Sequence, residues 1–135
     1  MRWAERYVGL PFADGGRDID GLDCWGLVRL VLKEQKSIDV PSYGEISAAD
    51  LMKVARTIGR ECLADPWKTV SVPHAFDVVV MSSPRVAGRS VSHCGIMVDE
   101  RRFLHVEQHT HSVLVPITHP TVRNRIRGYY RHRDA

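Results

Sequence analysis

A chain of 135 residues, 44% hydrophobic and 26% charged, is long enough to bury its own core as one domain over residues 1–135. Its three cysteines, odd in number and without C-x-x-C spacing, argue against both a disulfide framework and a structural zinc site. The net charge of +3 comes without a long run of like charges, and no apolar stretch reaches the ~20 residues that span a bilayer. Neither nucleic acid nor membrane insertion is therefore expected.

Met1 to Tyr7 lack the apolar region of a secretory signal, so the protein is expected to be made in the cytoplasm. Residues 2–8 read as a short helix leading into Gly9, and Pro11 to Gly21, with three glycines and three aspartates, as an irregular loop. Asp23 is a suitable N-cap, and Cys24 to about Gln35 then reads as helix. Cys24, Trp25, Leu27, Val28, Leu30, Val31 and Leu32 make that helix apolar on nearly every side, the mark of a central helix. A thiol at its first position lies by unpaired backbone N–H groups and the positive end of the dipole, where a thiolate forms readily. Cys24 is the candidate nucleophile.

Pro41 to Gly44 is a turn, and Ser47 to Asp50 a capping-box-like start to an amphipathic helix over residues 48–60, with Leu51, Val54 and Ile58 on one face. Cys62 reads as a small buried hydrophobe. After Pro73 the pattern changes to strands: Asp77–Met81, then, beyond a loop from Ser82 to Ser90, Ser92–Val98, Arg102–Glu107, Ser112–Ile117 and Ile126–His132. Helices followed by an antiparallel meander predict an α+β fold.

Alternation puts His93, Gly95 and Met97 on one face of their strand and Cys94, Ile96 and Val98 on the other. Phe103, His105 and Glu107 share a face of the next. A hairpin loop centred on Asp99 sets His93 directly opposite His105, with Cβ atoms about 4.5–5.5 Å apart. Gly95 leaves room beside them, and Cys94 reads as core. His109 and His111 form an H-x-H alternation able to reach a metal with His105 or Glu107, but an exposed loop pair is the commoner arrangement. His74, His119 and His132 read as surface residues, the arginines from Arg123 to Arg133 as a solvated strand face, and Trp3, Trp25 and Trp67 as core or rim.

A thiol at a helix start, a histidine base and a second polar group that orients the base make a nucleophile triad. In it Cys24 attacks a carbonyl, His93 moves the proton and His105 holds the tautomer of His93. At these residues the chain resembles the NlpC/p60 cell-wall peptidases, papain-like cysteine hydrolases. The likeness rests on Gly9-Leu10-Pro11-Phe12, Gly15-Gly16, Asp23-Cys24-Trp25-Gly26-Leu27-Val28, Asp77-Val78-Val79, His93-Cys94-Gly95-Ile96 and Phe103-Leu104-His105-Val106. The family's base and third polar residue lie twelve apart, as His93 and His105 do.

The resemblance implies a helix bearing the cysteine packed on an antiparallel sheet bearing the histidines. It implies hydrolysis of a peptidoglycan stem peptide, typically between D-γ-glutamate and a diamino acid, with no metal or organic cofactor. By the same likeness Asp23, Trp25 and Phe12 fall at substrate-binding positions. The family usually has serine where this chain has Trp25 and tyrosine where it has Phe12. The ending Gly128-Tyr129-Tyr130-Arg131 resembles tail-associated phage members, which implies other phage tail proteins as partners and a virion tail, acting at the bacterial wall, as the setting.

Overall fold

The computed structural model describes residues 2–44, 46–47, 51–62, 64–83 and 91–135, the side chains of Leu51, Met52 and Cys62 excepted. The expected helix start at 48–50, the buried Cys62 and most of the 82–90 loop lie outside the described parts. A short helix α1 (Arg2–Glu5) precedes the glycine-rich loop, where β1 (Arg17–Asp18) and β2 (Gly21–Leu22) form a small hairpin. The sequence shows no such hairpin, because two-residue strands carry no alternation to read.

The central helix α2 spans Cys24–Lys36. The Asp23 side chain caps it by accepting from the Gly26 N–H at 2.8 Å, and Ser37, at φ 56°, closes its other end. Leu27, Val28, Val31 and Leu32 are all fully buried against Val78, Val80, Ile96 and Leu104 of the sheet. At about 1.5–3 kcal/mol for each such side chain, that contact fixes where the helix N-terminus points. Gly26 sits in its first turn although glycine weakens a helix by about 1 kcal/mol. A Cβ there would come 2.0 Å from the Gly16 carbonyl oxygen, so glycine is what lets the loop lie on the helix start.

After α3 (Leu51–Cys62) come β3 (Trp67–Val70), β4 (Val78–Ser82), β5 (Val91–Met97), β6 (Arg102–His105), β7 (Val113–Pro116) and β8 (Ile126–His132). All six belong to one antiparallel sheet, in the order β3-β8-β4-β5-β6-β7. The α+β expectation holds, but the sheet is not a plain meander: β8 returns to lie between β3 and β4. Its place is held by an ion pair. Arg131 donates twice to the fully buried Asp77 carboxylate, at 2.8 Å each.

The second face of the sheet is covered as well, by a smaller cluster of Val79, Met81, Met97, Phe103 and Val122. Burial on both faces explains the unbroken Val78-Val79-Val80-Met81 run of β4. Two surface expectations are corrected. His132 is buried edge-on against Trp67, with ring centroids 5.1 Å apart, and Arg125 and Arg131 hold Glu107 and Asp77 rather than lining a solvated face. No helix of the described residues is long and apolar enough to cross a membrane.

Candidate active site

Asp23 does three things at the start of α2. Its Oδ1 takes the Gly26 N–H and, at 2.6 Å, Arg17 Nη1, while Oδ2 takes the Gly15 N–H at 3.1 Å. Arg17 is itself tied to the Gly16 carbonyl and to Ser42. Burial, and next the charge on Cys24, push the Asp23 carboxyl above its ordinary value, opposed by those N–H groups and by Arg17. The glycine-rich loop is thereby pinned to the helix that presents the thiol.

Cys24 opens into a cleft of about 110 Å³. Phe12, Asp23, Trp25 and His93 line it with Cys24, and His105 stands behind His93. The wall beyond Trp25 is apolar, with Tyr43, Ile58 and Trp67, and the other side is polar, with Ser92, Glu107 and Gln108. Trp25 is anchored by its Nε1–H on the Pro41 carbonyl at 2.7 Å and packs edge-on to Trp67. An indole held in this way is a fixed wall of the cleft.

His93 and His105 are both buried, and His93 Nε2 lies 2.9 Å from His105 Nδ1. They are not directly opposite. β5 and β6 pair Ile96 with Leu104 and Met97 with Phe103, so the loop is centred on Glu100. The Asp99 carboxylate makes it so, by accepting from the N–H groups of Arg101 and Arg102 at 2.8 Å each. A shift of two residues keeps both histidines on one face and makes them diagonal neighbours, still within reach of long side chains. Gly95 supplies the room between them: a Cβ there would be 2.6 Å from the Leu104 carbonyl oxygen and 3.1 Å from His105 Cβ.

Cys94 is buried in the core that α2 packs on, as expected, but it also acts on the Cys24 thiol. Hydrogen bonding with Cys94 is the largest influence lowering the Cys24 thiol, and His93 adds a hydrogen bond and its charge. Together they hold the thiol well below its ordinary value, against the burial that raises it. Alternation alone hid this contact, since it separates Cys94 from His93 without showing that the helix N-terminus meets both.

Burial, and then the charge of His93, bring His105 down to about 3, so it is neutral at working pH. In the tautomer with its Nδ1 unprotonated, the neutral His105 accepts from the His93 Nε2–H, and His93 Nδ1 is then left for the thiol. In the unfolded chain His105 titrates near 6.5. Between about pH 6.5 and 3 the unfolded state therefore binds a proton that the folded state refuses, and stability present above 6.5 is lost as the pH falls. Urea unfolding at stepped pH should show this slope reduced in His105→Asn, by up to about 1.4 kcal/mol per pH unit.

Among the described residues, His93, His105 and Glu107 offer metal-ligating atoms within 4.8 Å of one another. These atoms are engaged with partners already, the histidines with each other and the Glu107 carboxylate with Arg125 at 3.0 and 2.9 Å. The exposed His109 and His111 are not part of the group.

The sequence profile of the NlpC/P60 family matches residues 9–131, nearly the whole chain and every residue of the cleft just described. The chain belongs to the NlpC/P60 family. No curated protein matches it. Solved structures give the same fold at low identity. One is a Staphylococcus aureus protein described as similar to a lipoprotein of the NLP/P60 family, with TM-score 0.65 and 22% identity over 98% of this chain. An NlpC/P60 family protein from Bacillus cereus superposes with TM-score 0.67 and 18% identity over 97% of the chain. The chain spans only 39% and 38% of those two proteins. The NlpC/p60 domain of the peptidoglycan hydrolase SagA, of which it covers 92%, gives TM-score 0.63 and 20% identity over 95% of this chain. The NlpC/P60 architecture, a cysteine-bearing helix packed on an antiparallel sheet, is therefore the architecture of this protein.

Proposed function

We propose that this chain is a cysteine peptidase that hydrolyses an amide bond in a peptidoglycan stem peptide. Cys24 acts as nucleophile, His93 as base and acid, and His105 as the group that orients His93. The observation that carries the reading is that Cys24 and His93 line one cleft, with His93 Nε2 joined to His105 Nδ1 at 2.9 Å behind it. The Cys24 thiolate attacks the carbonyl carbon, and the oxyanion that forms is met by the Cys24 N–H, which has no acceptor within the helix. Collapse expels the amine, which takes the Nδ1 proton of His93, and leaves a thioester on Cys24. His93 then takes a proton from water, whose attack releases the acid and restores the thiol.

The bond is read as one between D-γ-glutamate and a diamino acid, on the likeness of the motifs to enzymes of that specificity. Asp23, Trp25 and Phe12 are read as substrate contacts, since all three line the cleft. The setting is read as a phage-type tail on the likeness of the Gly128–Arg131 ending, with tail proteins as partners. A second reading, an amidase or acyltransferase on the same scaffold, is favoured by one feature. Arg17 occupies the Asp23 carboxylate that would anchor a substrate amine, and the wall beside it is apolar.

Digestion of purified muropeptides with wild type and Cys24→Ala, followed by mass spectrometry, tests the reaction and names the bond. Cleavage by wild type alone supports the peptidase reading. Cleavage by both proteins, or by neither, rejects it.

A further inference from the structure

The line from Cys24 past His93 to His105 ends on a neutral ring, yet transfer of the thiol proton from Cys24 puts a full positive charge on His93. Among the described residues, the anion beside the two histidines is Glu107, two residues beyond His105. Its Oε1 lies 3.8 Å from His105 Nδ1, and its carboxylate is within 4.8 Å of a ring nitrogen of His93. It is held in place: Arg125 donates to it twice, and Arg125 Nε donates to the Ser82 carbonyl at 2.9 Å. Burial pushes the Glu107 carboxyl up, but the Arg125 hydrogen bonds and the His93 charge bring it below its ordinary value, so it is anionic at neutral pH.

We propose that Glu107 is a positioning residue of this site: clamped by Arg125, it supplies the negative charge that keeps the proton on His93 while Cys24 is a thiolate. No bond forms or breaks at Glu107, and the proton stays on His93 until the leaving amine takes it. Among the described residues, the titratable and charged groups around His93 are Cys24 from α2, Cys94 from its own strand, His105 and Glu107 on the β6 side, and Arg125 behind Glu107. Asp23, an anion next to Cys24, lies on the Cys24 side and is bound to Arg17. Among the described residues around His93, Glu107 favours the imidazolium without opposing the thiolate at closer range.

The inference rests on reading Cys24 and His93 as nucleophile and base, and its test needs no stem peptide. Carboxymethylation of Cys24 by iodoacetate, followed against pH, reads the imidazolium because the reagent is an anion that it attracts. Glu107→Gln is expected to move the upper pH edge of this reaction down by about one unit, the low end for an opposite charge at this range. Glu107→Asp, which keeps the charge, should restore it. An upper edge unmoved in folded Glu107→Gln overturns the proposal. If that variant does not fold, Arg125→Gln applies the opposite test: a carboxylate without its counter-charge should raise the edge, and an unmoved or lowered edge overturns the proposal. Wild type in which Cys24 reacts no faster than the other cysteines overturns the nucleophile reading as well, whereas a fast Cys24 with an unmoved edge sinks the Glu107 role alone.

Discussion

Replacing His93 with alanine is expected to lower stem-peptide hydrolysis by roughly 10²–10⁴-fold while leaving Cys24 open to alkylation. The two readouts separate because the thiol is lowered by two neighbours. Cys94 contributes the larger hydrogen-bonding influence and His93 the smaller, with the helix start behind both. Without His93 the thiolate still forms, at higher pH, and iodoacetamide still finds it. Hydrolysis has no such reserve, since in the proposed reaction His93 is the group that hands a proton to the leaving amine as it departs. Cys94→Ser should show the reverse balance, altering the alkylation profile more than it alters turnover. Hydrolysis by His93→Ala within tenfold of wild type would remove His93 from the reaction.

The parts of this site that are legible in sequence are the local ones. Asp23 as a cap, Cys24 at the first helical position and the shared face of His93 and His105 follow from periods of 3.6 and 2.0 residues, which need no tertiary information. The register of the histidine hairpin missed by two residues because the Asp99 side chain binds two backbone N–H groups and recentres the loop, a choice that spacing does not reveal. β3 escaped notice because Trp67-Lys68-Thr69-Val70 is short, with two exposed residues at its centre. Three of the site's supports come from distant segments: Arg17 on Asp23, Arg125 on Glu107, and Cys94 on Cys24. Each is an ordinary residue until the chain folds, and nothing in its neighbourhood in sequence marks it. Glu107 is intermediate, since alternation already put it on the face of His105 while its partner lay eighteen residues away.

The largest loss of stability is expected at the return of β8, in Arg131→Met. Asp77 is fully buried, and among the described residues its carboxylate takes, apart from Arg131, only the His74 N–H, at 2.7 Å. Removing the guanidinium leaves a buried charge with one donor, which costs about 3–5 kcal/mol. For a chain of this size that is a fall in Tm of roughly 10–20 °C. The double variant Asp77→Asn, Arg131→Gln removes the charge with the counter-charge and keeps an oxygen for His74, so it should recover most of the loss. Equal destabilisation by both variants, in calorimetry or urea unfolding, would assign the effect to packing of the arginine stem. Hydrolysis measured below the lowered Tm should be unaffected, because Asp77 pairs at the Met97 end of β5 and His93 lies at the other end. The frame that brings β8 beside β4 and the chemistry at the helix start would then be separable by a single substitution.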